Sequence, residues 1–136
     1  MQQIIMTNPQ DAYRRQGVLT ASPIELIVML YDGLKKNLVL GKRAIDKNDP
    51  AGAHKYLMKS QDIVTELINC LDLNYDISNE LMEIYEFILS CLEEVNMTKE
   101  SALIDPVIEM VDSLRDTWKE VSSMQKSGTM QLDEAQ

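Results

Sequence analysis

The sequence predicts an all-α fold: an antiparallel up-down four-helix bundle with a short N-terminal helical arm and a flexible C-terminal tail. Three observations predict it. Apolar side chains recur at about 100° per residue in four separate stretches, no stretch shows the period of two that marks a half-buried strand, and the connections are too short for anything but antiparallel neighbours. The length of 136 residues suits one domain. The reading assigns residues 1–121 to a single helical-bundle domain and 122–136 to the tail.

The opening, Met1 to Thr20, mixes Ile4, Ile5 and Met6 with Asn8-Pro9 and a polar stretch, and holds one or two helical turns at most. Ser22-Pro23-Ile24-Glu25 then reads as a capping box, with Ser22 accepting from an orphan N–H and Pro23 suited to the first helical position. From there Leu26, Ile27, Leu30, Tyr31, Leu34, Leu38, Gly41 and Ile45 share one face, which predicts a helix over 23–47. Asn48-Asp49-Pro50 stops it and starts the next, because Asp49 can cap and Pro50 fits the first turn. The second stripe runs from Ala53 through Leu57, Ser60, Val64 and Leu67 to Leu71, and Asn74 and Asp76 favour the turn after it. Leu81, Ile84, Tyr85, Ile88, Cys91, Leu92 and Val95 form the third stripe, over roughly 77–96. For the fourth, the reading puts a loose turn from Lys99 to Ile104, Asp105 as cap and Pro106 at the first position. Val107, Met110, Val111, Leu114, Trp118 and Val121 line its face, Met110 and Trp118 being taken as core. After Ser122 the apolar periodicity ends.

Composition narrows the function. Lys plus Arg number 13 against 22 Asp plus Glu, a formal net charge of -9, which repels nucleic-acid phosphates and anionic membranes and leaves proteins as the expected partners. No signal peptide and no stretch long and apolar enough to span a membrane is present, so no membrane insertion is expected and the location is read as cytoplasmic. Cys70 and Cys91 form no metal-binding pair and read as buried free thiols. One histidine cannot supply the two Glu-x-x-His motifs of a di-iron bundle, and phosphate-binding, dinucleotide-binding and hydrolase motifs are missing. The chain is read as no enzyme, with no catalytic residues, no metal and no cofactor. An alternative is a histidine phosphotransfer module acting through His54. The residues after it, Lys55-Tyr56-Leu57-Met58, provide no small side chain beside the ring, so an ordinary surface histidine is the stronger reading.

The helices carry more apolar surface than a bundle seam needs. Val28 and Val39 lie on one flank of the first helix and Met29 and Leu40 on the other; Met82 and Leu89 flank one side of the third helix and Phe87 the other. A dimer interface or a weak homo-oligomer could cover this surface, as a self-associating structural bundle would. A groove for an apolar partner segment is the functional reading, and nine methionines fit either. Together with Ile5, Tyr13 and Val18 of the arm, these seven residues form the candidate partner-binding set.

From Tyr13 to Gly33 the chain contains Tyr13, then Gln16-Gly17-Val18-Leu19-Thr20-Ala21-Ser22-Pro23, then Leu26 through Leu30-Tyr31-Asp32-Gly33. This resembles the N-terminal signature of the flagellar secretion chaperone family, FliS. Ala44-Ile45, Ile63, Glu66-Leu67, Leu81, Tyr85, Leu114-Arg115 and Trp118 extend the resemblance over roughly residues 10 to 121. It departs from the family pattern at Pro106 and at Val95-Asn96, where the family commonly has Ala-Asn. The resemblance implies a cytoplasmic helical bundle without enzymatic activity that binds the C-terminal segment of flagellin. It further implies that binding prevents premature polymerisation and that a flagellar export gate protein, part of a type III apparatus, is a second partner.

Overall fold

Pro23 opens the first helix, α1 (Pro23–Asp46), in a computed structural model that describes residues 23–135, with side chains described for 24–123. The capping role of Ser22 and the N-terminal arm lie outside the described residues. Helices α2 (Pro50–Asn69), α3 (Asp76–Thr98) and α4 (Ile104–Ala135) follow, the last preceded by a 3-10 turn at Ser101–Leu103. No strand occurs among the described residues.

The boundaries follow from local chemistry. Asp49 caps α2, its Oδ1 accepting from the Gly52 N–H at 3.0 Å, while Pro50 fills a position whose amide would have no helical acceptor. Asn48 (φ 59°) and Lys99 (φ 57°) take left-handed conformations just beyond α1 and α3. There the Lys99 N–H satisfies the Val95 carbonyl at 2.7 Å, and the Asp49 N–H that of Ala44 at 2.8 Å. In the turn before α3, Asp72 Oδ1 accepts from the Asn74 N–H at 3.1 Å.

One expected boundary, the start of α4, is corrected. The 3-10 turn runs directly into α4 at Ile104, so Asp105 lies inside the first turn and does not cap it. Pro106 is the third residue of α4 and costs no hydrogen bond, because the first four helical N–H groups have no acceptor within the helix. The helical backbone also continues to Ala135, beyond the last apolar position of the stripe at Val121.

The described residues divide into two compact units, Leu30–Leu114 and a unit that holds 23–29 and 115–135. The first contains parts of all four helices and its core is built around α1. Gly33 lies where an added Cβ would stand 3.6 Å from Ile63 Cδ1, and Gly41 where it would stand 3.6 Å from Leu57 and Tyr56. Moving forward along α1 therefore moves backward along α2, which makes the two antiparallel. Ion pairs Lys35–Asp112 (2.9 Å) and Lys42–Asp105 (2.6 Å) set the same opposed direction between α1 and α4. The bond with Asp105 holds the Lys42 ammonium above its ordinary pKa. Helices α2 and α3 pack along each other, with His54 near the start of one bonded to Asn96 near the end of the other.

Leu34, Leu38, Leu57, Val64, Leu67, Ile88, Leu92, Val95 and Val111 are buried in this unit, following the stripes read from the sequence, and so is Ile104, which the sequence reading left in a turn. At its centre the hydroxyls of Tyr31 and Tyr85, both buried, approach to 2.6 Å with the rings tilted 48°. Ser60 is buried too and donates to the Tyr56 carbonyl at 2.9 Å, which satisfies the hydroxyl within its own helix.

Four side chains depart from expectation. Met110 is half-buried, at the edge of the α4 stripe. In the second unit Trp118 is also half-buried, in keeping with an indole too large to lose all its surface. The cysteines are free but not buried, Cys70 being exposed at the end of α2 and Cys91 half-buried. Cys70 directly follows the last residue of α2, at its C-cap.

Tyr31→Phe is expected to destabilise the protein by about 1–3 kcal/mol, since it deprives the buried Tyr85 hydroxyl of its bond. Adding Tyr85→Phe should cost less than on its own, which a double-mutant cycle by urea denaturation measures. Burial raises the Tyr85 pKa from its ordinary 10.0, partly offset by the bond to Tyr31. Its contribution to stability is therefore intact below about pH 10 and lost as the pH rises through the higher folded-state value. The alkaline loss should be smaller in Tyr85→Phe. Burial, with Glu94 adding to it, also pushes the Cys91 thiol up. Alkylation followed by mass spectrometry should label Cys70 first and Cys91 about tenfold or more slowly.

Candidate functional site

Asn96, Leu89 and Met82 stand seven residues apart and so share one line along α3. The contact of Asn96 with His54 shows that this line borders α2. On α2 the antiparallel register carries it past Gln61 and Ile68, seven and fourteen residues beyond His54. Met82, Leu89, Gln61 and Ile68 are all half-buried. The α2/α3 groove thus offers apolar side chains that are held by the bundle yet still reach solvent, the form a partner helix can lay its own apolar face against.

A polar cluster closes one end of this groove. Lys99 Nζ donates to Asn96 Oδ1 at 2.7 Å and to the Asn96 main-chain carbonyl, which fixes which way the Asn96 amide points. Its Nδ2 then donates to His54 Nδ1 at 2.9 Å, leaving the ring proton on Nε2. His54 is exposed, as expected of a surface histidine, but it ties α2 to α3, a role its own helix does not reveal. A cleft of 350 Å³ lies nearby, lined by Ile45, Asn48, Asp49, Pro50 and Lys99. Its ammonium is already committed to Asn96. Among the described residues no group of His, Cys, Asp and Glu could hold a metal ion, and no helix is long and apolar enough to cross a membrane.

The remaining candidates do not lie on the Met82–Leu89 line of α3. Phe87 is 56% exposed and, lying between Met82 and Leu89 in sequence, turns away from their line. Leu40 is half-buried beside the approach of Gly41 to Tyr56, and Val39 is half-buried on another flank of α1. Val28 and Met29 are half-buried members of the second unit. Ile5, Tyr13 and Val18 lie outside the described residues. Ile68 was not among the candidates, because from α2 alone it reads as part of the core stripe.

His54→Ala is expected to lower stability by no more than about 1 kcal/mol, the scale of an exposed hydrogen bond, as read by thermal denaturation.

Residues 6–125 match the family described as Flagellar protein FliS. The chain is 33% identical over 113 residues to the flagellar secretion chaperone FliS of Bacillus subtilis strain 168, covering 83% of this chain and 85% of that one. It is 26% identical over 122 residues to the protein of that name from Vibrio cholerae, with 85% and 90% covered. With the one from Campylobacter jejuni it shares 28% over 113 residues, with 82% and 88% covered.

Proposed function

The chain belongs to the FliS family of flagellar secretion chaperones, and on that premise we propose that it binds the C-terminal segment of flagellin. Bound flagellin is held from premature polymerisation in the cytoplasm and presented to the export gate of the flagellar type III apparatus. The task calls for no bond to be made or broken, and the proposal contains no catalytic step and no cofactor.

The observation that carries this reading is the line of half-buried Met82 and Leu89 beside Ile68 on α2. A flagellin segment that folds against it would order on binding, so its apolar anchors must outweigh an ordering cost of about 1–2 kcal/mol per residue. Full burial of one large apolar side chain contributes about 1.5–3 kcal/mol, so several anchors are needed along an extended groove. Ile5, Tyr13 and Val18 of the N-terminal arm, with Val28, Met29, Val39 and Leu40 of α1, complete the proposed contact set.

Mixing the full chain with a flagellin C-terminal peptide should give a 1:1 complex by calorimetry. Met82→Lys and Leu89→Lys should each weaken binding about tenfold or more, because a charge then lies where an apolar anchor docks. The long lysine side chain can keep its ammonium in water, so stability should change by no more than about 1 kcal/mol. Wild-type affinity in both variants would place flagellin elsewhere.

A further inference from the structure

Helix α3 has two flanks, and the groove of Met82 and Leu89 uses only the one beside α2. On the other flank Ile77, Ile84 and Cys91 stand seven residues apart, in a line next to the buried stripe. Ile77 is 58% exposed, and Ile84 and Cys91 are half-buried. The next line outward holds Glu80, Phe87 and Glu94, and the one beyond it Asp76, Glu83 and Met97. Phe87 and Met97 are both exposed. Apolar side chains that reach solvent thus alternate with carboxylates along this flank.

These acids do nothing for the fold. Helix α3 carries six carboxylates and no Lys or Arg. All six are exposed, and none forms an ion pair with a cation among the described residues. Asp76, Glu80 and Glu83 follow one another at three or four residues, so each repels the next along the helix. The other helices mix their signs. Asp32 and Asp46 lie among the cations of α1, Asp62 and Glu66 among those of α2, and α4 alternates likewise. None of them offers a cationic face, so a second copy of this chain has nothing to set against α3.

We propose that this flank docks a cationic amphipathic helix of a second protein. The partner's apolar residues, at the same helical spacing, pack on Ile77, Ile84 and Phe87, and the Lys or Arg residues beside them reach Glu80, Glu83 and Glu94. The apolar strip supplies the contact and the carboxylates choose the partner, since an acidic helix meets like charge on both sides of the strip. From Ile77 to Cys91 the strip is about 21 Å long at 1.5 Å of rise per residue, which a partner of about four turns covers. Met82 and Leu89 stand on the opposite flank and take no part, so the contact holds whether or not flagellin is the client.

Calorimetric titration of the full chain tests this with a capped synthetic helix, two repeats of Leu-Lys-Lys-Leu-Leu-Lys-Leu, and with its counterpart carrying Glu for every Lys. At about 20 mM salt the lysine peptide should bind at one site, at about 200 mM it should bind about tenfold or more weakly, and the glutamate peptide should not bind. Phe87→Ala and the pair Glu80→Gln/Glu94→Gln should each weaken binding about tenfold. The pair Asp46→Asn/Asp62→Asn, which removes the same charge from exposed sites on α1 and α2, and Met82→Ala should change it less than about twofold. Phe87, Glu80 and Glu94 are exposed, and circular dichroism melts check that every variant folds. Four results overturn the proposal: no binding of the lysine peptide, equal binding of the glutamate peptide, binding that survives either α3 variant, or an equal loss in either control. Self-association of the wild type that Phe87→Ala abolishes, seen by sedimentation equilibrium, would overturn it too and give the flank to a second copy.

Discussion

Everything in the Leu30–Leu114 unit depends on covering one helix from three directions. Helix α1 meets α2 through the near approach of Gly33 and Gly41, α3 through the bond between Tyr31 and Tyr85, and α4 through Lys35 and Lys42. Its stripe of Leu30, Leu34 and Leu38 is buried as a result. The tyrosine pair is the most demanding of these contacts. Two hydroxyls removed from water must meet each other, and a shift of either helix by one residue would part them at the cost of unsatisfied buried groups. The exposed ion pairs contribute little energy by comparison and act mainly as markers of register.

Such an arrangement leaves apolar surface over. A helix surrounded on three sides needs apolar residues on more of its circumference than a single seam would demand, and at the edges of the stripes these side chains are only half covered. Met82 and Leu89 are of this kind on α3, as is Ile68 on α2. A bundle built this way retains grooves between its helices without needing a cavity, and that is the geometry a chaperone for a helical segment requires. The polar tie of His54, Asn96 and Lys99 stabilises one end of the α2/α3 groove and spares its apolar length.

The four stripes were legible because each obeys a single helical period, and Asp49-Pro50 was legible because capping is local chemistry. What escaped was decided between elements. The exposure of Cys70 depends on where α2 stops, a matter of one residue, and Pro106 could be read as a first position or a third because both spare the same amide. Likewise His54 seemed isolated on its own helix because its partner Asn96 is on the next one. The candidate partner residues of α1 and α3 are those on the flanks of each stripe. That criterion puts Leu89 and Phe87 on opposite flanks of α3 but cannot tell which flank borders α2 until the partner of Asn96 is known.

The central claim is that the α2/α3 groove receives a flagellin segment. Hydrogen exchange of the full chain, with and without a saturating flagellin C-terminal peptide, tests it most directly, since helices gain protection where a partner holds them closed. The account predicts added protection across 61–68 and 82–89, with little change at 76–80, the start of α3. A tight complex in which those two segments exchange as fast as in the free protein would contradict it.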